Sequence, residues 1–187
     1  MKPTNKQTLL LIALVCIVPV AASYFFYYYA PPSKTMNYGE LVETRPLPAH
    51  RLTALDGRPF SLAELKGKWI MLQLDASACG EGCRQKLYYM RQVRKAQAQE
   101  MDRIERVWLV TDGGIPGAEL LREFEGTHVA RAGDAALLAA LPAAADRADH
   151  IYLIDPLGNI VLRFPPHPDP KKMIKDLERL LKYSRIG

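Results

Sequence analysis

The pattern of apolar and polar positions divides the chain into one long apolar segment and a longer part with alternating strand and helix patterns. Residues 8–29 carry no charged side chain, and about 20 apolar residues make a helix long enough to cross a bilayer. Residues 30–38 contain two prolines and no apolar periodicity, which predicts a tether. We therefore expect a short N-terminus at 1–7, a transmembrane helix at 8–29, a tether at 30–38 and a domain at 39–187.

The first elements of the domain are predicted from turn chemistry and from one apolar run. Asp56 and Gly57 lie between two short strand patterns at 52–55 and 59–62, and an Asp-Gly pair tolerates the backbone of a tight hairpin. Residues 69–74 form an apolar run of strand length, which is typical of a strand buried on both faces. We expect an opening hairpin and then a central strand.

The rest of the domain alternates between helix and strand patterns. Apolar spacing and capping residues predict helices at 84–100, at 118–124, at 135–141 after Asp134, and from 170 after Asp169. Strand patterns occupy 107–110, 150–154 and 160–164, and the last two flank a turn. This order predicts parallel strands with right-handed crossovers and then a hairpin and a helix. The predicted α/β domain resembles the thioredoxin-like fold with an added N-terminal β-hairpin, preceded by one transmembrane helix.

Charge and length narrow the functional classes. The 187 residues include 25 basic and 20 acidic side chains, a net charge of +5 at pH 7, and this length suits one globular core. Lys2 and Lys6 precede the apolar segment, and no acidic residue does. The positive-inside rule therefore predicts a single-pass protein of the bacterial inner membrane with its domain in the periplasm. A domain outside the cytoplasm is not expected to bind nucleic acid.

A cleaved signal peptide is the alternative interpretation of the apolar segment. Val20 and Ala22 provide the small residues of a cleavage site. The aromatic run at 24–29 extends past that site and resembles the interfacial belt of a retained span, which favours an anchor. Cys16 lies within the apolar segment and is interpreted as a buried thiol without a function.

The clearest chemical feature is the pair Cys79 and Cys83, between the predicted central strand and the first helix. They are the two cysteines outside the apolar segment, and a separation of four lets their sulfurs form a disulfide or share a metal. Gly80 and Gly82 are expected to permit the necessary backbone turns. A helix N-terminus favours the thiolate, which is both nucleophile and metal ligand. We expect both sulfurs on one accessible edge of the domain.

The residues around the pair disfavour two other interpretations. A purely structural disulfide is disfavoured because so short a loop removes little entropy from the unfolded chain. A peroxidatic cysteine is disfavoured because peroxiredoxins have threonine three residues earlier, where Ala76 and Gly80 stand here. Isolated histidines are more often surface residues, so His50, His128 and His167 are not expected to take part.

The motifs from about Pro48 to the C-terminus resemble the Sco/SenC family of copper-binding cytochrome c oxidase assembly proteins. These motifs are LDG at 55–57, FSL at 60–62, LKGK at 65–68, the C-x3-C pair, TD at 111–112 and YLIDPLG at 152–158. The C-x3-C spacing is diagnostic, because thioredoxins use C-x2-C. The chain departs from the family where Gly80 and Arg84, instead of prolines, follow the cysteines. The family histidine falls nearest to His150, with a local gap that leaves Arg147 at the usual position.

The resemblance implies a copper-binding protein that assists assembly of the CuA centre of cytochrome c oxidase. Cys79 and Cys83 would bind copper as Cu(I), Cu(II) or both, with His150 as third ligand. The implied partners are the oxidase subunit that carries CuA and other copper or thiol carriers. The alternative is a periplasmic thiol-disulfide reductase in which Cys79 and Cys83 are catalytic and bind no metal. A third possibility is an assembly scaffold with neither chemistry, so enzymatic activity stays open.

Overall fold

The apolar segment forms helix α1, Asn5–Tyr29, in a computed structural model that describes residues 5–29, 36–47, 52–133, 135–143, 146–184 and 186. The 25-residue helix is about 37 Å long at 1.5 Å per residue, enough for a hydrocarbon core of about 30 Å. Among the described residues it is the one helix long and apolar enough to cross a membrane. The chain divides into the units Met1–Met36 and Asn37–Gly187.

The second unit is built on an eight-stranded sheet within the described part of the chain. Its strands are β1 Glu40–Pro46, β2 Leu52–Ala54, β3 Pro59–Phe60, β4 Trp69–Asp75, β5 Ile104–Val110, β6 Thr127–Arg131, β7 Ile151–Ile154 and β8 Asn159–Arg163. They lie in the order β1-β8-β7-β4-β5-β6-β2-β3. Strands β4, β5 and β6 are parallel, whereas the other neighbouring pairs are antiparallel. The predicted central strand, β4, lies between β5 and β7.

Helices cover both faces of this sheet. They are α2 Glu81–Ala96, α3 Ala118–Glu123, α4 Ala135–Ala140 and α5 Pro170–Tyr183, with 3-10 turns at Leu62–Leu65, Ala98–Arg103 and Arg147–Asp149. Met71 of β4 packs in the core formed with α2 and α5, whereas Leu72 packs in the core formed with α4. Successive side chains of a strand point to opposite faces, so β4 is buried on both faces as its apolar run predicts.

The two predicted hairpins are confirmed. β2 pairs with β3 around Gly57, whose φ of +84° suits glycine, and β7 pairs with β8. The predicted extension of β3 to residue 62 is wrong, because Ser61 caps the following 3-10 turn by accepting from Ala63 N. Asp169 caps α5 as predicted, accepting from Lys171 N at 2.9 Å, while the proposed cap Asp134 lies outside the described residues.

Three differences separate the structure from the predicted elements. Helix α2 begins at Glu81 and ends at Ala96, so Cys83 lies inside its first turn rather than before it. Strand β6 follows α3 directly, which adds a third parallel strand that was not predicted. Strand β1 was also missed, and it is an edge strand with mostly exposed side chains. Near the end of the predicted tether, Tyr38 N donates to Asp176 of α5 at 2.9 Å.

Candidate functional site

Cys79 and Cys83 are joined by a disulfide where β4 leads into α2. Their Cα atoms are 5.1 Å apart, within the range that a disulfide requires. Gly80 is the N-cap of α2, which makes Cys83 the third residue of the helix. The expected closeness of the two sulfurs is therefore present at the amino end of a 16-residue helix, where the helix dipole favours a thiolate after reduction.

The turn at the disulfide depends on Cys79 rather than on the glycines. Cys79 has a φ of +42°, in the left-handed region that non-glycine residues rarely adopt. Gly80 has a φ of −63°, and Gly82 lies in regular helix. The expectation that both glycines provide the unusual backbone is therefore wrong. A non-glycine residue stays in this region only where its surroundings enforce it, and Cys79 N donates to Ala76 O at 3.1 Å.

Asp112, at the carboxyl end of β5, holds the loop before the cysteines. Its carboxylate accepts from Ser77 N and from Ser77 Oγ, each at 3.0 Å, and from Gly114 N at 3.2 Å. These hydrogen bonds, the one from Ser77 N first, lower the pKa of Asp112. A Cβ on Gly114 would lie 2.0 Å from Ser77 Oγ, so the close approach of the two loops requires glycine there.

The sulfurs are less accessible than predicted. Cys79 is 4% exposed and Cys83 is 3% exposed, and both belong to the core between the sheet, α2 and α5. The expectation of an accessible edge is therefore wrong for the oxidised pair, because the helix turn directs both side chains toward the sheet. Cys83 nevertheless lines a pocket of about 230 Å³ that also includes residues 148–149 and 166–168.

Two buried polar side chains that the sequence analysis did not select lie beside the disulfide. Gln73 of β4 is fully buried, and its Nε2 atom is 3.6 Å from Cys83 Sγ. Lys86, one helical turn after Cys83, places its Nζ atom 2.8 Å from Asp75 Oδ2. The sequence did carry a signal, because Gln73 interrupts an apolar strand and Lys86 falls on the apolar side of a helix.

Lys86 is held by more than its ion pair. Its ammonium also donates to Leu74 O at 3.3 Å and to Ala148 O. Asp75, Lys86 and Ala148 all line the pocket beside Cys83. A buried ammonium is tolerated when an opposite charge and several acceptors replace its lost hydration, and Lys86 has all of these. The pair fixes the end of β4 against α2 at the floor of the site.

His150 lies at the start of β7 and contacts the backbone of Phe164 and the ring of Tyr152. It is 3% exposed, its Nδ1 atom is 2.8 Å from Phe164 O, and its ring centroid is 6.1 Å from that of Tyr152. Tyr152 belongs to the core on the α4 face, whereas the cysteines belong to the core on the α2 face. His150 is not among the residues that line the pocket beside Cys83. Its role as a third ligand stays a prediction.

The remaining histidines are placed differently from one another. His167 is exposed between Pro166 and Pro168, and it lines the pocket with Cys83 although it was not selected from the sequence. His128 Nε2 is 3.3 Å from Glu105 on neighbouring strands, and His50 lies outside the described residues. Over the described ranges, no three His, Cys, Asp or Glu side chains converge as a metal site. Thiolates are metal ligands and disulfide sulfurs are not, so any metal binding at the pair requires its reduction first.

Solved structures with a similar fold include both copper proteins and thiol-disulfide proteins. Copper-bound ScoI from Bradyrhizobium japonicum is 22% identical, with a TM-score of 0.55 over 74% of this chain and 99% of that one. Copper-bound yeast Sco1 is 17% identical, with a TM-score of 0.61 over 81% and 96%. The thioredoxin domain of a Bacteroides vulgatus thiol-disulfide oxidoreductase is 20% identical, with a TM-score of 0.54 over 75% and 99%.

These likenesses confirm the thioredoxin-like fold, and the resemblance to Sco proteins is confirmed at the level of fold. Comparison with the curated proteins produced no match. One family model does match, over residues 69–184, which run from the first residue of β4 to the residue after α5 and make up more than half of the chain. The chain therefore belongs to the family described as transmembrane-like, thioredoxin-like, C-terminal domain.

Proposed function

We propose that this chain is a membrane-anchored thiol-disulfide protein in which Cys79 and Cys83 alternate between disulfide and dithiol. The observation that carries the proposal is the bonded pair at the amino end of α2, with Cys83 lining an open pocket. A helix N-terminus lowers the free energy of a thiolate, the form that attacks a disulfide. The ion pair between Asp75 and the buried Lys86 and the hydrogen bonds of Asp112 hold both sides of this turn.

The proposed reaction is a two-step exchange with a partner disulfide. One thiolate of the reduced pair attacks a partner sulfur, and the other partner sulfur leaves as a thiolate. The second cysteine then attacks the mixed disulfide and releases the first partner sulfur. Two electrons have passed to the partner, and Cys79 and Cys83 are again joined. The proposed substrates are disulfides of oxidase or copper-protein cysteines.

The proposed location is the bacterial inner membrane, with the domain in the periplasm. Helix α1 is long and apolar enough to span, and Lys2 and Lys6 precede it. In cells, we expect protease added to spheroplasts to degrade the domain while cytoplasmic proteins stay intact. Full protection of the domain in intact spheroplasts would show that the domain lies in the cytoplasm instead.

A redox titration of the full chain in detergent tests the main proposal. Equilibration with dithiothreitol at varied ratios, followed by alkylation, should show one two-electron transition between disulfide and dithiol. Single replacements Cys79→Ser and Cys83→Ser should show which thiol attacks, because one of them should accumulate a mixed disulfide with a partner. The proposal fails if the dithiol form reduces no protein disulfide and neither variant captures a partner.

Copper binding by the reduced pair is the second candidate function. It is supported by the C-x3-C spacing and by the fold that the chain shares with two Sco proteins solved with copper bound. Two thiolates suit Cu(I), and an imidazole suits either oxidation state. His150 is the proposed third ligand, and its contact from Nδ1 to Phe164 O leaves Nε2 as the ligating atom. The proposed recipient is the CuA centre of cytochrome c oxidase.

Anaerobic titration separates the two candidates. If copper is the cargo, the reduced chain should bind one ion per molecule, and a Cys79→Ser, Cys83→Ser double variant should bind none. His150→Ala should weaken Cu(II) more than Cu(I), since two thiolates alone can hold the softer ion. No copper binding by a chain that still reduces a disulfide substrate would leave the thiol-disulfide function alone.

A further inference from the structure

Gln73 is a buried polar side chain in contact with Cys83. It lies on β4, opposite Ile151 of β7, and its side chain is completely buried. Its neighbours along the strand, Leu72 and Leu74, point to the other face, so the amide of Gln73 lies on the face covered by α2. A buried amide costs free energy unless its donors and acceptor find partners.

In the oxidised chain these requirements are poorly met. The Nε2 atom lies 3.6 Å from Cys83 Sγ, a disulfide sulfur that is only a weak acceptor. The Oε1 atom is buried and has no hydrogen-bond partner among the described residues. Burying the amide beside Cys83 therefore costs free energy in the oxidised state, because the disulfide sulfur replaces little of the hydrogen bonding that the amide loses.

Reduction changes what the sulfur offers to this amide. When an external dithiol reduces the pair, the S–S bond breaks and each sulfur gains one electron, while the dithiol loses two electrons and becomes a disulfide. Cys83 is left as a thiolate or, with a proton, as a thiol. A thiolate accepts a charge-assisted hydrogen bond from Nε2, which is about twice as strong as a neutral one. A thiol can instead donate to Oε1 after the amide rotates. Either form satisfies Gln73 better than the disulfide does.

We propose that Gln73 is a positioning residue that stabilises the reduced pair through its amide and so raises the reduction potential of the Cys79–Cys83 disulfide. The inference rests on the proposed redox function, and it names Gln73 as one residue that sets the reduction potential of the pair. A contact that favours one of two states shifts their equilibrium by its differential free energy. Lys86 does not serve this purpose in the same way, because its charge is compensated by Asp75 at 2.8 Å.

The test compares two buried glutamines in the full chain in detergent. Gln73→Met keeps the length of the side chain but removes its donors. It should lower the equilibrium constant for reduction by about tenfold, the effect of losing one hydrogen bond to a charged group, or about 30 mV toward negative potential. The matched control is Gln97→Met, because Gln97 is also buried but donates to Val93 O and Ile174 O, each at 3.4 Å. Its potential should stay unchanged.

A second variant and a second readout separate this effect from a general loss of structure. Gln73→Leu also removes both hydrogen-bonding groups of the amide without adding a charge, so it should shift the potential in the same direction and by a similar amount. Ultraviolet absorbance of the reduced chain at a fixed pH should show less thiolate in both Gln73 variants, because Cys83 loses its amide donor. An equilibrium constant for reduction within twofold of that of the unmodified chain in both variants overturns the inference alone. Absence of any reversible transition in the unmodified chain overturns it together with the proposed function.

Discussion

Lys86 and Arg106 are both buried cations, and they lie near opposite ends of the parallel strands. Lys86, near the carboxyl end of β4, has Asp75 at 2.8 Å and two backbone carbonyls as partners. Arg106, near the amino end of β5, donates from Nη2 to Glu125 O at 2.7 Å. Its Nε and Nη1 atoms are buried without a partner in the described part of the chain.

The charges around Arg106 add to the contrast between the two buried cations. Burial first, and then the nearby charges of Arg94 and Arg91, lower the pKa of Arg106 to about 10. The cation at the cysteine end is therefore built into a complete polar network, whereas the cation at the other end is not. Complete networks rigidify a site, and incomplete ones cost stability. The difference indicates that Lys86 helps to hold the end of β4 against α2, whereas Arg106 lowers the stability of the fold.

The largest expected effect is the loss of stability when Lys86 is replaced. Lys86→Met removes the cation and leaves Asp75 partly buried without its partner, so the free energy of unfolding should fall by about 3 kcal/mol. Denaturant unfolding monitored by circular dichroism measures this loss. Lys95→Met, on an exposed position at the end of the same helix, is the matched control and should change stability little. A loss below about 1 kcal/mol would mean that the partners of Lys86 contribute little to stability, and the contrast with Arg106 would then not hold.

Replacing Arg106 is expected to raise the free energy of unfolding rather than to lower it. Arg106→Met removes an incompletely paired buried charge and keeps an unbranched side chain, so the free energy of unfolding should rise by about 1 kcal/mol. The matched control is Arg163→Met, because Arg163 is buried and paired with Glu40 and its loss should destabilise the domain. A clear loss of stability in Arg106→Met would show that its two free nitrogens have a partner, and the contrast with Lys86 would then disappear.

The smallest expected effect is local and lies at Asp112. Asp112→Ala removes the acceptor of both Ser77 hydrogen bonds, so dithiothreitol should reduce the disulfide several times faster while global stability changes little. Because the folded pKa of Asp112 is lowered, its contribution is present above the ordinary aspartate value of about 3.9 and is lost as pH falls through the lower folded value.

Amide exchange at Ser77 provides the check on Asp112. Protection of the Ser77 amide relative to its intrinsic exchange rate should fall in Asp112→Ala at neutral pH, and in the unmodified chain only when acid protonates Asp112 at its lowered pKa. Asp102→Ala is the control, since Asp102 is 80% exposed and lies away from the cysteine loop beside Arg94. Unchanged exchange at Ser77 in the Asp112 variant would show that the loop is held by other contacts.

Elements with strong local signals were predicted well from the sequence. The span of α1, the buried run of β4, the two hairpins and the cap of α5 each depend on neighbouring residues alone. The pair Cys79 and Cys83 was also found, because its spacing and its position between a strand and a helix can be read along the chain. Strand β1 lacks such a signal, since an exposed edge strand shows no alternation of apolar and polar residues.

The sequence by itself determined the fold class, the apolar segment and the closeness of the two cysteines, because periodicity and spacing are local properties. Only the tertiary structure decided how the pair is surrounded. The packing of α2 on the sheet brings Gln73 to 3.6 Å from Cys83 and places His167 on the same pocket. The same packing puts His150 in contact with Phe164 O. These contacts join residues far apart in the chain, so no local pattern encodes them, and they depend on which faces of the helices and strands are buried together.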